Sequence, residues 1–261
     1  MSTRVARLVF SFALLAAIYP PAASAQVQDL SGAELLRVTR VAQGGTEYAG
    51  LQYVTARSEG FVNLAPFGAF GLGTGAAGGM IEVRFKLTDY QGKDGRRRLE
   101  VTPAGPVTGP TFLTYTGTQG GGMFMGNEFR VTETAASRQW ALMGFDTLNH
   151  AAEGKLPAVR QPNELSGGNR YFVVDVRFSP QDAVRYYIDQ NTFLIGRVVT
   201  RFNNRPLVDE TRGDYRKVGC MMMPFHIVTR LNNQRLADLN IAEYDVQTVV
   251  PSARFTLTAM P

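Results

Sequence analysis

Residues 183–215 read AVRYYIDQNTFLIGRVVTRFNNRPLVDETRGDY, and this stretch decides the fold. Three runs rich in β-branched and aromatic residues, 183–188, 193–202 and 206–215, are joined by Asp189-Gln190-Asn191-Thr192 and Asn203-Asn204-Arg205, both turn sequences. Connections that short leave no room for a crossover helix, so neighbouring runs pair antiparallel and a doubly wound parallel sheet is excluded. The pattern extends outward. A similar run, 171–178, precedes it, and 224–231 and 235–246 follow, separated by Asn232-Asn233-Gln234. Further upstream, Ile81, Val83, Phe85 and Leu87 alternate with Glu82, Arg84, Lys86 and Thr88, which places four apolar side chains on one sheet face. The reading is a mainly β chain built as an antiparallel meander.

The convincing helical stretch is residues 29–43. Ser31 is spaced to cap it with Glu34 three residues on, while Leu35, Val38 and then Val41 or Ala42 recur at helical intervals before Gly44-Gly45 ends it. A strand is expected near 51–57. Two apolar segments interrupt the pattern. Residues 61–80 carry no charge and contain Phe61, Leu64, Phe67, Phe70 and Leu72; residues 117–126 contain Gly120-Gly121-Gly122 followed by Met123, Phe124 and Met125. Both are too glycine-rich for regular core strands, and the six glycines and Pro66 of the first make a poor membrane-spanning helix. They read as apolar loops over one end of the sheet. Two meanings stay open: a cap that buries its Phe and Met side chains, or a lid that lines a pocket for a lipid-like guest, because Met and Phe adapt to irregular apolar shapes.

The N-terminus reads as a secretory signal. Arg4 and Arg7 precede an apolar run from Leu8 to Ile18, prolines follow at 20 and 21, and Ala23-Ser24-Ala25 fits the small-residue pattern of a cleavage site before Gln26. That run is far short of the ~20 residues a membrane-spanning helix needs. The expected product is a single domain, 26–261, working in the periplasm or outside the cell. Without Arg4 and Arg7, 25 of the 27 basic residues remain against 22 acidic ones, a net charge of +3. So weak an excess excludes nucleic acid as the main partner. The one basic cluster, Arg96-Arg97-Arg98, follows the turn sequence Lys93-Asp94-Gly95 and reads as a solvated hairpin end. A single cysteine, Cys220, excludes an internal disulfide and reads as a small buried apolar residue.

No catalytic set is visible. His150 and His226 have no partner at metal-ligand spacing, and Met221-Met222-Met223 lacks the repeat or histidine expected of a copper site. Gly71-Leu72-Gly73-Thr74-Gly75 is followed by neither a lysine nor a helix start, so no phosphate loop is read there. No metal, cofactor or enzymatic activity is expected.

The C-terminal half resembles the outer-membrane lipoprotein-sorting superfamily. The resemblance rests on Tyr186, Asp189 and Thr192 at hairpin spacing, Asp214-Tyr215-Arg216 near a strand end, Gly219 followed by Met223-Pro224-Phe225, and the closing Val250-Pro251 with Phe255 before Pro261. It implies a strongly curved antiparallel sheet forming an incomplete barrel, with the N-terminal helix and apolar loops on its concave side. It also implies a non-enzymatic binding protein that holds lipid or lipoprotein acyl chains in an apolar cavity during sorting to the outer membrane. Phe61, Leu64, Phe67, Phe70, Leu72, Phe85, Leu87, Met123, Phe124 and Met125 are the candidate cavity or lid residues. Residues 61–80 and 103–162 align with no counterpart in the superfamily, so the functional arginine and lid residues of its carriers are transferred to no numbered position here. Exported relatives of this fold also act as envelope sensors, and here the same apolar loops would dock an envelope membrane protein. An outer-membrane barrel is disfavoured, because the later strands carry charges on both faces.

Overall fold

The computed structural model describes residues 29–63, 82–103, 109–124, 126–131, 142–203, 205–231 and 233–257. The expected signal peptide, Leu64, Phe67, Phe70, Leu72 and Met125 therefore lie outside the described residues.

The chain enters through helix α1 (Gly32–Ala42). Ser31 caps it in the expected way: its hydroxyl accepts from the Glu34 N–H at 3.3 Å while Glu34 accepts from the Ser31 N–H at 2.8 Å. The buried stripe is Gly32, Leu35, Leu36 and Thr39, continuing to Gln43, whereas Val41 is 68% exposed. The apolar periodicity thus predicted the helix but placed its inner face too far round. Gly44 does end α1, at φ 134, and a Cβ there would stand 2.7 Å from Met221 Cγ. A second short helix, α2 (Gly45–Gly50), follows immediately.

Thirteen strands among the described residues form one unclosed, curled antiparallel sheet. The first arm comprises β1 (Tyr53–Asn63), β2 (Glu82–Gly92), β3 (Arg97–Pro103), β4 (Thr111–Tyr115), β5 (Gly120–Phe124) and β6 (Asn127–Val131). Helix α3 (Phe145–Ala152) lies in the connection to the second arm. That arm comprises β7 (Ala158–Ser166), β8 (Asn169–Arg177), β9 (Ala183–Asp189), β10 (Ile195–Phe202), β11 (Arg205–Val218), β12 (Met221–Leu231) and β13 (Gln234–Asp245). Each strand pairs with its predecessor except β7, and β13 returns to pair with β1, leaving β6 and β7 as the two edges. The incomplete barrel implied by the resemblance is what the chain forms.

The predicted strands from 171 to 246 correspond to β8–β13, and the turns between them do what their composition demands. Asp189 Oδ1 accepts from the N–H groups of Asn191 and Thr192, and Asn203 and Asn233 take positive φ. Met221 and Met223 are buried in the core, as expected of the methionine run.

Four expectations need correction. Residues 120–124 are a strand, β5, rather than part of a loop: a Cβ on Gly122 would stand 2.0 Å from the Phe112 carbonyl oxygen, so glycine is what lets β5 approach β4. Residues 61–63, read as the start of a loop, are the end of β1. Arg97 and Arg98 flank a hairpin, as read, but are buried rather than solvated, because strand alternation turns them to opposite covered faces. Cys220 is exposed, since Gly219 and Cys220 form the turn between β11 and β12; a hydrogen bond to the nearby Glu47 carboxylate pushes its thiol pKa up.

The main core fills the concave side of the second arm. Leu35 and Leu36 of α1, Phe145, Leu148 and Ala151 of α3 and Tyr48 of α2 interlock with Phe172, Val174, Tyr186, Ile188 and Val198 of the sheet. The outer face of the same arm buries Tyr171, Val173, Tyr187 and Val199 beneath the ion pairs Arg185–Asp175 and Arg197–Asp209, each at 2.6 Å. On the outer face of the first arm lies a short 3-10 helix, Ser252–Phe255. There Arg254 and Arg98 both donate to Glu100, at 2.9 and 2.8 Å, and the Arg98 guanidinium covers the Phe112 ring at 3.8 Å.

Candidate functional site

The inner face of the first arm carries two of the apolar candidates chosen from sequence, Phe85 and Leu87. Phe85 and Leu87 of β2 are buried and pack with Val62 of β1, Leu99 and Val101 of β3 and Leu239 of β13. Register explains the grouping. Phe85 sits between Gly60 and Pro103, Leu87 between Ser58 and Val101, and Gly60 also faces Leu239, so all project from one side of four adjoining strands. The described members of this cluster come from the sheet alone. The core of the second arm, by contrast, joins sheet and helices.

A polar boundary separates the two. On the same inner face Arg97 clasps Asp89 through two nitrogens, Nη2 at 2.6 Å and Nε at 2.9 Å, and Gln91 donates to Asp89 at 2.7 Å. Gln91 in turn accepts from the N–H of Phe145, at 3.4 Å, tying α3 to β2.

Behind that boundary lies a buried polar cluster that composition and spacing had not revealed. Arg212 pairs with Glu210 at 2.7 Å and donates to the Met143 carbonyl at 2.9 Å. Around this pair stand Tyr48, Tyr186, Tyr215 and Tyr244, whose hydroxyl pKa values are all raised by burial, that of Tyr48 to about 12. Tyr215 donates to the Ile195 carbonyl at 2.6 Å, and Tyr244 to the Pro224 carbonyl at 2.7 Å. Tyr186 Oη, Thr39 Oγ1, Gln43 Oε1, Asn149 Oδ1 and Asp146 Oδ1 are buried without a protein partner. Burial raises the Asp146 carboxyl to about 6. The only clue in the sequence was that Thr39 and Gln43 continue the apolar stripe of α1, where an ordinary core stripe would have aliphatic residues.

The other candidate residues are scattered. Phe61 lies on the outer face of β1, 42% exposed, with the Arg84 guanidinium 5.3 Å from its ring centre. Met123 pairs with Phe112 and shares its outer face, and Phe124 stands opposite Asn127 at the end of β5. His226 Nε2 is bound to Asp238 at 2.8 Å on a partly exposed strand surface. Among the described residues no three His, Cys, Asp or Glu side chains are grouped to hold a metal. A separate cleft of 590 Å³ opens between the α2–β1 junction, the β11–β12 turn and the end of β13. Its Glu243 is paired with Arg57 and its Asp245 caps the turn at Gln247 and Thr248, and it contains none of the candidate residues.

No protein-family model and no curated protein sequence matches the chain. Solved structures do. A LolA superfamily protein from Nitrosomonas europaea superposes with a TM-score of 0.54 at 12% identity, over 87% of this chain and 98% of its own. The chain has the LolA-superfamily fold. A DUF1329 family protein from Desulfovibrio piger is similar at a TM-score of 0.50 and 10% identity, over 89% of this chain and 100% of that one. A putative outer membrane lipoprotein-sorting protein domain from Vibrio parahaemolyticus also matches, with a TM-score of 0.49 and 12% identity over 86% and 95% of the two chains. With LolA-like proteins the chain shares its open antiparallel architecture; identities this low speak to fold alone.

Proposed function

We propose that the protein is an exported, non-enzymatic carrier that shelters lipid or lipoprotein acyl chains against the inner face of its first arm. The observation that carries this reading is the apolar cluster of Phe85, Leu87, Val62, Leu99, Val101 and Leu239, whose described members occupy a single layer of an unclosed sheet. An apolar sheet face requires a second layer. In the second arm α1 and α3 supply it; in this reading acyl chains lie against the first-arm cluster. A chain of about 14 methylenes contributes up to ~11 kcal/mol of transfer free energy at ~0.8 kcal/mol each, enough to hold a lipid through an aqueous compartment. The signal-like N-terminus supports export to the periplasm or beyond the cell.

The test is native mass spectrometry, with lipid extraction, on protein purified from the periplasm without detergent. Co-purifying acyl lipid that is lost in Leu87→Asp, at unchanged circular dichroism, supports the carrier. Lipid-free protein that also fails to take up added lipoprotein removes it. A second reading, a docking module for an envelope membrane protein, is favoured by exposed Phe61 on the outer face; a stoichiometric protein partner that dissociates with Phe61→Ser would select it.

A further inference from the structure

Asp146 stands in the first turn of α3, where that helix is tied to both arms of the sheet. The Phe145 N–H donates to Gln91 of β2 at 3.4 Å, and the Met143 carbonyl just before the helix accepts from Arg212 of β11 at 2.9 Å. Between these ties the Asp146 carboxyl is buried, and its Oδ1 has no hydrogen-bond partner. Its Oδ2 faces His150 Nδ1 one turn on, at 3.5 Å.

The groups around it are mixed in sign. On its own helix and just beyond are His150 and Lys155; the β2–β3 turn presents Lys93 and Asp94; α2 and β9 present the hydroxyls of Tyr48 and Tyr186. From β11, Glu210 and Arg212 act on the same tyrosines. The neighbouring helix α1 contributes Arg40, which pairs with Glu153 at the far end of α3. His150, Lys93, Lys155 and the helix N-terminus favour the carboxylate; burial opposes them and is the largest influence. A carboxylate with one oxygen unpartnered is poorly accommodated there, whereas a protonated carboxyl brings a donor to an interior whose orphaned Gln43 and Asn149 oxygens can only accept.

We propose that Asp146 is a pH-responsive fastener of α3: protonated, it beds the first turn of the helix against the buried polar cluster; ionised, it loosens that turn and the Gln91 and Arg212 ties it carries. The helix lies on the stretch of chain that runs from one open edge of the sheet to the other, so loosening it frees the connection between the two arms. The device stands independently of what the first arm binds.

Hydrogen–deuterium exchange of the intact chain, corrected for intrinsic rates and followed from about pH 5 to about pH 8, tests it in residues 145–152. Protection of α3 in the wild type is expected to fall at least tenfold over that range, the step is expected to vanish in Asp146→Asn, and it is expected to persist in His150→Gln. Flat wild-type protection overturns the proposal without any variant. So does a step that survives in Asp146→Asn or disappears only in His150→Gln.

Discussion

The two arms of one continuous sheet are finished differently. In the second arm, β8–β12 are covered on the inside by α1, α2 and α3 and on the outside by ion pairs over Tyr171, Val173, Tyr187 and Val199. In the first arm the 3-10 helix covers the outer face around Arg98 and Glu100 while Phe61 stays exposed, and the described inner cluster around Phe85 and Leu87 is made by strands alone. The same hydrogen-bonded ladder therefore carries a helix-covered face on one side of the β1–β13 seam and, on the other, a buried apolar cluster whose described partners are strands alone. If the first arm is the carrying face, substitutions in the two arms should behave differently.

The largest effect belongs to the filled arm. Arg212→Leu leaves Glu210 buried without its partner and removes the tie to the Met143 carbonyl, which should cost about 3–5 kcal/mol in urea unfolding. Replacing both members, Glu210→Leu with Arg212→Leu, should recover much of that loss. If the double variant is no better than the single one, the guanidinium matters through its neighbouring tyrosines and not through the pair.

Leu148→Ala comes next, at about 3 kcal/mol, since Leu148 is 1% exposed between two layers that cannot collapse onto each other. Asp146→Asn goes the other way. The carboxyl titrates near 6 when folded against an ordinary value of 3.8, so the native state holds the proton more tightly than the unfolded chain. The stability this confers is complete below about pH 4 and is lost as pH rises through about 6, a penalty on the order of 3 kcal/mol at neutral pH. The asparagine variant should flatten that profile and be the more stable protein at pH 7.

How these features could be read from sequence also divides between the arms. The second arm was legible because its turns carry Asp189, Asn203 and Asn233, residues that fix hairpins locally, and because β8, β9 and β10 are rich in β-branched and aromatic residues. The β3–β6 part of the first arm was not. Its β5 is Gly120-Gly121-Gly122-Met123-Phe124, where strand identity comes from close backbone approach to β4 and not from side-chain propensity. The burial of Arg97 and Arg98 depends on Asp89, Glu100 and the distant Arg254 segment, contacts no local pattern encodes. Helix α3 was missed because its inward residues include Asp146, Thr147 and Asn149, which break the apolar stripe that marks a helix. The alternation around Phe85 and Leu87 was enough to place them on one buried face, whereas Phe61 and Met123 are apolar by composition but face outward by register.

Leu87→Ala is the smallest change and the one that sharpens the contrast most. Leu87 is 4% exposed, nearly as buried as Leu148, so a cost set by burial alone would make the two truncations alike. If the inner face of the first arm is a platform for a removable guest, Leu87→Ala should cost the lipid-free protein less than Leu148→Ala, because the described neighbours of Leu87 come from the sheet alone and not from two packed layers. The same variant should lose most of the thermal stabilisation that added acyl lipid gives the wild type, since ligand linkage acts through the contacts it removes. A cost near 3 kcal/mol without lipid would mean instead that the cluster is a permanent core, as closed as that of the second arm.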